Sequence, residues 1–386
     1  MSDLLDFLGA SGFANLTWEN VPLLALGAFF IGIAIVKKWE PYVLLPIGLG
    51  ILLANLPGTG LVDYDPSGEV QSSGIFGVIF HFTLSFWNIL PPLIFLGLGA
   101  MTDFGPIIAN PKTLILGAAA QVGIFVAFWL ALGIGTFTSP DLFTLKEAAA
   151  IGIIGGADGP TTIFASAKLA PDLLGITGVV AYSYMASVVF IQPPLMRLLT
   201  TKEEREIEMK PPRDVSRREK LLFPAGAMLV IILLVPEAAP LIALFMIGNL
   251  FRESGVVPRL SDASSNEIMN IATIFLMITI GAQLSGDRVF EVKTLAIMGL
   301  GLVAFACGTV GGLLSAKIMN LFVKDKVNPL IGSAGVSAVP MAARLSHVLG
   351  QQANPRNFLL PHAMGPNVAG VIGSAVVAGV FISILG

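Results

Sequence analysis

What this chain can fold into is constrained first by its succession of apolar stretches, many long enough to cross a bilayer. A helix needs about 20 apolar residues to traverse ~30 Å of hydrocarbon. Such stretches lie at residues 21–36, 42–56, 86–101, 113–137, 175–199, 221–235, 239–251, 268–284, 294–322 and 358–385. Several are short and need tilt or flanking residues to span. Two more, 145–169 and 329–349, are interrupted, by Gly155-Gly156-Ala157-Asp158-Gly159-Pro160 and by Gly335-Val336-Ser337-Ala338-Val339-Pro340. Residues 76–84 are apolar but hold His81 and read as interfacial or re-entrant. Charge agrees, since 12% of the 386 residues are charged, about half of the ~25% usual in soluble domains. The solvent is therefore lipid, and the fold class is an all-α polytopic membrane protein.

Several function classes drop out. A net charge of −3 and the lack of a basic stripe argue against nucleic acid. The single cysteine, Cys307, excludes an intramolecular disulfide and a cysteine-based metal centre. Three scattered histidines, His81, His347 and His362, form no metal cluster in sequence. Residues 1–20 are acidic and lack the basic start of a cleaved signal peptide.

Charge also orients the chain. Residues 200–220 hold seven Lys or Arg and six acids, and positive charge stays inside, so this segment is expected in the cytoplasm. Lys37 and Lys38 make the first link cytoplasmic, whereas the link at 57–74, with Asp63, Asp65 and Glu69 but no Lys or Arg, fits outside. The spans then count correctly only if 145–169 is a hairpin on the outer side and 329–349 a hairpin from the cytoplasm, beside Lys324 and Lys326.

An internal repeat strengthens this layout. Phe95-Leu96-Gly97-Leu98-Gly99-Ala100 ahead of Lys112-Thr113-Leu114 is echoed by Phe275-Leu276 and Gly281-Ala282 ahead of Lys293-Thr294-Leu295, at an offset of about 180. The same offset carries the first interruption onto the second, and Tyr184 close to 364–367. Five spans plus a hairpin is an odd count, so the expectation is two inverted-topology repeats of about five spans each, each with a broken-helix re-entrant hairpin. The boundaries are 1–199 with hairpin 145–169, a charged cytoplasmic loop at 200–220, and 221–386 with hairpin 329–349. Paired broken helices in inverted repeats place a transport site at the membrane midplane.

Asp158 is the residue most in need of explanation there. A carboxylate at membrane depth costs ~3 kcal/mol on insertion scales. The glycines and Pro160 around it free backbone carbonyls, and those oxygens with one carboxylate suit a hard monovalent cation. The plainer alternative is that Asp158 caps the helix starting near Pro160. Ser337 holds the matching place in the second interruption, as ligand or cap. Asn328-Pro329 is an ordinary turn starter. Asn367 follows Gly365-Pro366 inside the last span, and a helix break with an amide at membrane depth favours a site role. Tyr182 and Tyr184 suit an interfacial belt, though the expected depth of Tyr184 would let it donate a hydrogen bond or proton. Arg344 and Lys168 lie just past the two interruptions, free to pair with Asp158, to snorkel, or, for Arg344, to meet an anionic substrate. Asp103 and Lys112 read as loop residues.

Three blocks carry a family resemblance: Gly155-Gly156-Ala157-Asp158-Gly159-Pro160-Thr161, the run from Asn328-Pro329-Leu330 through Ser337-Ala338-Val339-Pro340-Met341-Ala342-Ala343-Arg344, and His362-Ala363-Met364-Gly365-Pro366-Asn367-Val368-Ala369-Gly370. They resemble the β subunits of the sodium-translocating, biotin-dependent decarboxylases that act on oxaloacetate, methylmalonyl-CoA, glutaconyl-CoA or malonate. The resemblance runs from Pro46-Ile47-Gly48 over nearly the whole chain. It implies a carboxyltransferase α subunit that moves a carboxyl group to biotin on a biotin carrier protein, and a small membrane-anchored γ or δ subunit. Carboxybiotin is then decarboxylated at this membrane subunit, a proton is consumed and Na+ is exported. It further implies Asp158, Ser337, Asn367, Asn328, Gly332 and Tyr184 around sodium, Arg344, Tyr184 and Ser337 in catalysis or the proton path, and Arg344 and Asn328 towards carboxybiotin. Biotin would not be bound covalently here, consistent with the lack of a Met-Lys-Met sequence. The implied location is the cell membrane of a prokaryote, with homo-oligomerisation left open. The rival classes are a stand-alone sodium-coupled secondary transporter or antiporter, and a membrane anchor with no transport role.

Overall fold

The computed structural model describes residues 9, 11–18, 20–63, 70–138, 142–284, 291–338 and 340–386. Half of the N-terminal stretch 1–20, its acids Asp3, Asp6 and Glu19 among them, lies outside these residues, as do Asp65, Glu69 and Val339. The elements are helical. The first half comprises α1 (Asn20–Val36), α2 (Pro41–Ala54), α3 (Gly74–Phe80), α4 (Leu90–Met101), α5 (Gly105–Ala109), α6 (Thr113–Ala120), α7 (Val122–Thr138), α8 (Leu145–Ile153), α9 (Gly159–Leu169) and α10 (Leu174–Leu199). After the short α11 (Lys202–Glu206), the second half comprises α12 (Arg217–Leu234), α13 (Ala239–Ser254), α14 (Pro258–Ala263), α15 (Met269–Gly281), α16 (Val292–Phe322), α17 (Leu330–Ser333), α18 (Met341–Ala353) and α19 (Leu360–Leu385).

Among the described residues, five helical segments are long and apolar enough to cross a membrane: Thr113–Phe137, Pro171–Leu199, Pro258–Gly281, Val292–Phe322 and Leu360–Leu385. A sixth arises if Gly74–Phe86 and Leu90–Met101 count as one span despite the 75° bend between them. The sequence suggested ten. The shortfall has a physical cause, because the apolar helices α1 and α2 have 17 and 14 residues, roughly 21–26 Å of rise. The α12 helix spends its first turn on Arg217-Arg218-Glu219-Lys220. The expected span at 86–101 also starts later, at Leu90. Asn88 takes a left-handed backbone there, φ 48°, a conformation that Asn tolerates better than most side chains, and Pro91 and Pro92 open the new helix.

The halves pack through each other as well as side by side. Among the described residues, α2 lies on α15 and α4 on α13. Both crossings are backbone-close at paired glycines. A Cβ at Gly50 or Gly281 would collide with the carbonyl of Ile278 or Ile47 on the facing helix. One at Gly99 or Gly248 would collide with that of Phe245 or Leu96. Small residues at such crossings let helices approach where lipid supplies no hydrophobic drive. One buried cluster, including Phe95, Phe164, Phe245, Ile297 and Phe381, then runs across both halves. The charged segment is ordered by two capping boxes, Thr201 with Glu204 and Ser216 with Glu219. The Arg213 guanidinium at 2.6 Å and the Ser216 N–H hold the Glu219 carboxyl down to about 2.

Candidate ion site at two helix breaks

The interrupted stretch 145–169 is two helices meeting at a break. A capping box of Thr144 with Glu147 starts α8. After Ile153 a single 3-10 turn, Ile154–Gly156, ends in Ala157 with a left-handed backbone, φ 52°. Gly155 lies against the Gly123 carbonyl, too close for any side chain. Asp158 is the N-cap of α9: its Oδ1 accepts the Thr161 N–H at 3.2 Å, with Pro160 in the first turn. The capping role weighed from sequence is therefore present. It uses one carboxylate oxygen and leaves the other free for different work.

That other oxygen, Oδ2, accepts a hydrogen bond from the Ser374 hydroxyl of α19 at 2.8 Å. Asp158 is 3% exposed, and the Ser337 side chain lies close enough to act on the same carboxyl. The second break joins the first directly, since the Ser337 N–H donates to the Gly156 carbonyl at 3.1 Å. Here one turn, α17, precedes the break and α18 follows it. Pro340 occupies the N-cap with no side-chain cap. The amide of Asn367 instead satisfies carbonyls ahead of the break, donating to those of Ala334 at 2.9 Å and Val336 at 3.2 Å. The break expected at Gly365-Pro366 does not form: α19 continues through Pro366, in the second turn, where a proline removes few backbone hydrogen bonds.

Two site residues escaped the sequence reading. Ser374 is one. Gln121 is the other: it separates α6 from α7, and its amide donates to the Gly117 carbonyl at 3.1 Å and the Gly370 carbonyl at 3.3 Å. Gln121 lies beside Gly156, close to where a Cβ would stand. Among the described residues, buried oxygens without a hydrogen-bond partner collect in this region: Asn367 Oδ1, Gln121 Oε1 and the Tyr182 hydroxyl. Orphaned buried oxygens are rare and call for an explanation such as an ion. One carboxylate with several neutral oxygens is the donor set of a hard monovalent cation, whereas no group of three His, Cys, Asp or Glu suited to a transition metal occurs among the described residues.

The other expected site residues lie elsewhere. The buried Asn328 amide donates to the carbonyls of Arg205 at 2.9 Å and Ile207 at 3.0 Å, fastening the cytoplasmic linker. Gly332 packs against Gly312 of α16 at backbone contact. The half-buried Tyr184 donates its hydroxyl to the Met298 carbonyl. Arg344 is exposed, and its charge acts on Glu40. Lys168 pairs with Glu237 at 2.8 Å. Neither cation reaches Asp158 in this conformation. Asp103 is a loop residue as read, and it bonds Lys220 at 2.9 Å.

Comparison with known proteins bears on all of this. Residues 19–385 match the family described as the Na+-transporting oxaloacetate decarboxylase beta subunit. The chain is 53% identical to the methylmalonyl-CoA decarboxylase subunit beta of Propionigenium modestum, over 99% of each chain. It is 53% identical to the glutaconyl-CoA decarboxylase subunit beta of Acidaminococcus fermentans, over 97% of this chain and 96% of the relative. It is 48% identical to the oxaloacetate decarboxylase beta chain of Klebsiella pneumoniae, over 99% of each.

Proposed function

This chain belongs to the family of β subunits of Na+-transporting decarboxylases and is the membrane subunit of a sodium-pumping decarboxylase, and on that footing we propose that Asp158 and the oxygens around it bind the transported ion while carboxybiotin is decarboxylated from the cytoplasmic side. One observation carries the reading above others. A buried carboxylate uses one oxygen to cap its own helix and turns the other to a hydroxyl from a different helix, at a point where two helix breaks are hydrogen-bonded to each other. A cap needs neither the second break nor the second oxygen.

The layout of two inverted repeats belongs to this proposal, with re-entrant hairpins at 145–169 and 329–349. It is supported by the glycine crossings, where Gly50 with Gly281 matches Gly248 with Gly99 across the two halves. Ion pairs support it too. Lys168–Glu237 and Lys293–Glu147 join segments assigned outside, while Lys220–Asp103, Lys210–Asp325 and Lys317–Glu204 join segments assigned to the cytoplasm. No pair crosses from one assigned side to the other among those described.

The chemistry divides as follows. A biotin carrier protein presents carboxybiotin, loaded by a carboxyltransferase α subunit, near Ser337 and Arg344, with a γ or δ subunit holding the complex at a prokaryotic cell membrane. The N–carboxylate bond breaks, CO2 leaves, and the ureido nitrogen takes a proton, which fixes the consumption of one proton per turnover. Exporting one charge needs ~2.3 kcal/mol per 100 mV, and this downhill step supplies it. The chain's own part is to hold sodium at Asp158, to satisfy the carbonyls of the second break through Asn367, and to let the two breaks move together through the Ser337–Gly156 bond. A proton arriving from outside then helps to release sodium. The acyl substrate is chosen by the partner subunit, since no oxo-acid or CoA site is needed here.

The test uses the detergent-solubilised complex. Copurifying proteins are probed with avidin, and decarboxylation of free carboxybiotin is followed with and without sodium. A biotinylated partner together with sodium-dependent decarboxylation is the expected result. A lone chain without that activity would contradict the coupling assigned here.

A further inference from the structure

A cavity of about 410 Å³ opens between α2, α4, α10 and α15. Its floor includes Pro160 and Tyr182. Pro160 lies two residues past Asp158, and the Tyr182 ring presses on Gly159 so closely that no side chain would fit there. Tyr182 is 3% exposed, and its hydroxyl has no partner among the described residues. The cavity thus ends on the protein layer that seals Asp158. Glu40 lines it at the link between α1 and α2, beside Lys37 and Lys38, which place that link in the cytoplasm.

Glu40 is the one charged side chain among the described lining residues, and no side chain among the described residues hydrogen-bonds its carboxylate. The rest of the wall is apolar or carries neutral oxygens, such as those of Ser265, Asn266, Asn270 and Thr273. Its position is fixed by a backbone in the left-handed region, φ 34°, which side chains of this size seldom adopt. Apolar walls around one sign of charge focus its field and raise the local concentration of the opposite ion. An anion moving inward would meet Glu40 at a cost, so the lining chemistry favours a small cation.

We propose that this cavity is the cytoplasmic path by which sodium reaches Asp158, with Glu40 as the positioning residue that draws the cation in and the Tyr182 hydroxyl as the first oxygen it meets at the floor. This rests on Asp158 as the sodium site. The competing role for Glu40 is to neutralise Arg344, whose charge acts on it.

The intact complex carrying Glu40→Gln separates the two roles. Decarboxylation is measured against sodium at saturating free carboxybiotin, then against carboxybiotin at saturating sodium. Half-saturating sodium rises about tenfold, as expected for removing one nearby charge, with the effect confined to sodium. The gap from the wild type narrows as choline chloride screens the field. An unchanged sodium curve overturns the proposal, as does a shift confined to carboxybiotin, which marks Glu40 as the counter-charge of Arg344. Should Glu40→Gln fail to copurify with the biotinylated partner, Glu40→Asp gives the same decision: a smaller rise for sodium alone supports the path, and no rise overturns it. Asp158→Asn in parallel keeps the claims apart. If it retains normal sodium dependence the site reading fails, whereas if it abolishes that dependence while Glu40→Gln changes nothing, only the path fails.

Discussion

The two helix breaks do the same geometric job with opposite chemistry. At the first, the cap is internal: Asp158 accepts the Thr161 N–H and brings a full charge into a buried position. At the second, Pro340 offers no side-chain cap, and Asn367 reaches across from α19 to serve the other side of the break, donating to the carbonyls of Ala334 and Val336. The difference shows how two breaks hydrogen-bonded to each other can confine the charge to one of them. The second break needs only neutral donors because its N–H groups and carbonyls are met from neighbouring elements. That leaves the first as the place where a cation lowers the energy most, since a carboxylate buried without a counter-charge is costly.

The comparison breaks most severely if the charge is removed. Asp158→Asn is expected to cut sodium-dependent decarboxylation by 100-fold or more, on the order of 3 kcal/mol. Ser337→Ala should cost less, because it removes one hydroxyl beside the Asp158 carboxyl and keeps the bond to Gly156, which comes from the backbone N–H. Equal losses in these two variants would erase the distinction between the breaks. Asn367→Ala comes next. It strands two buried carbonyls and should destabilise the complex by about 1–3 kcal/mol, read as a lower midpoint of thermal unfolding in detergent. Ser374→Ala removes the donor to Asp158 Oδ2, and hydrogen bonds to charged groups contribute about 1.5–3 kcal/mol. Half-saturating sodium should move about tenfold, upward if Ser374 also ligates the ion and downward if its bond competes with it. No movement would place the ion elsewhere.

The glycine crossings sharpen the comparison in another way. Gly248→Ala and Gly281→Ala each force a Cβ onto a facing carbonyl, and overpacking of this kind costs about 1–3 kcal/mol. The inverted repeat proposed above predicts like losses at the two crossings, measurable by thermal unfolding. The smallest effect is at the cytoplasmic link. Burial raises the Asp103 carboxyl, but the Gly105 N–H at 2.8 Å and Lys220 at 2.9 Å outweigh it and hold the group below its ordinary value. A depressed carboxyl stabilises the fold above its unfolded pKa and loses that contribution as pH falls through the folded value. Acidification below about pH 4 should therefore loosen this link, with an effect under about 1 kcal/mol for so exposed a pair. Lys220→Ala should remove most of that pH dependence.

Much of the site was legible in the sequence because helix breakers inside apolar runs are conspicuous. Gly155-Gly156 before Asp158, and Gly335 and Pro340 around Ser337, announce interrupted helices, and the common offset of about 180 aligned the two breaks, whereas α19 runs unbroken through Pro366. Ser374 and Gln121 were not legible. Ser374 lies within an unbroken apolar helix, where a lone serine usually bonds its own backbone, as this one also does to Val371 at 3.0 Å. Gln121 marks a break that no glycine or proline announces. Arg344 and Lys168 were readily named but not readily placed, because a long cation next to a break can turn either way. Hydropathy also does not reveal where Asn88 bends the chain, or how far a short helix must be helped across.

The most direct test of the central claim is sodium uptake into proteoliposomes holding the complete complex with its cytoplasmic face outward, driven by decarboxylation, for the wild type and Asp158→Asn. Uptake in the wild type, and its loss in a variant that still assembles with its biotinylated partner, is the predicted result. Sodium uptake by Asp158→Asn at the wild-type rate would contradict the assignment of the buried carboxylate as the ion's ligand.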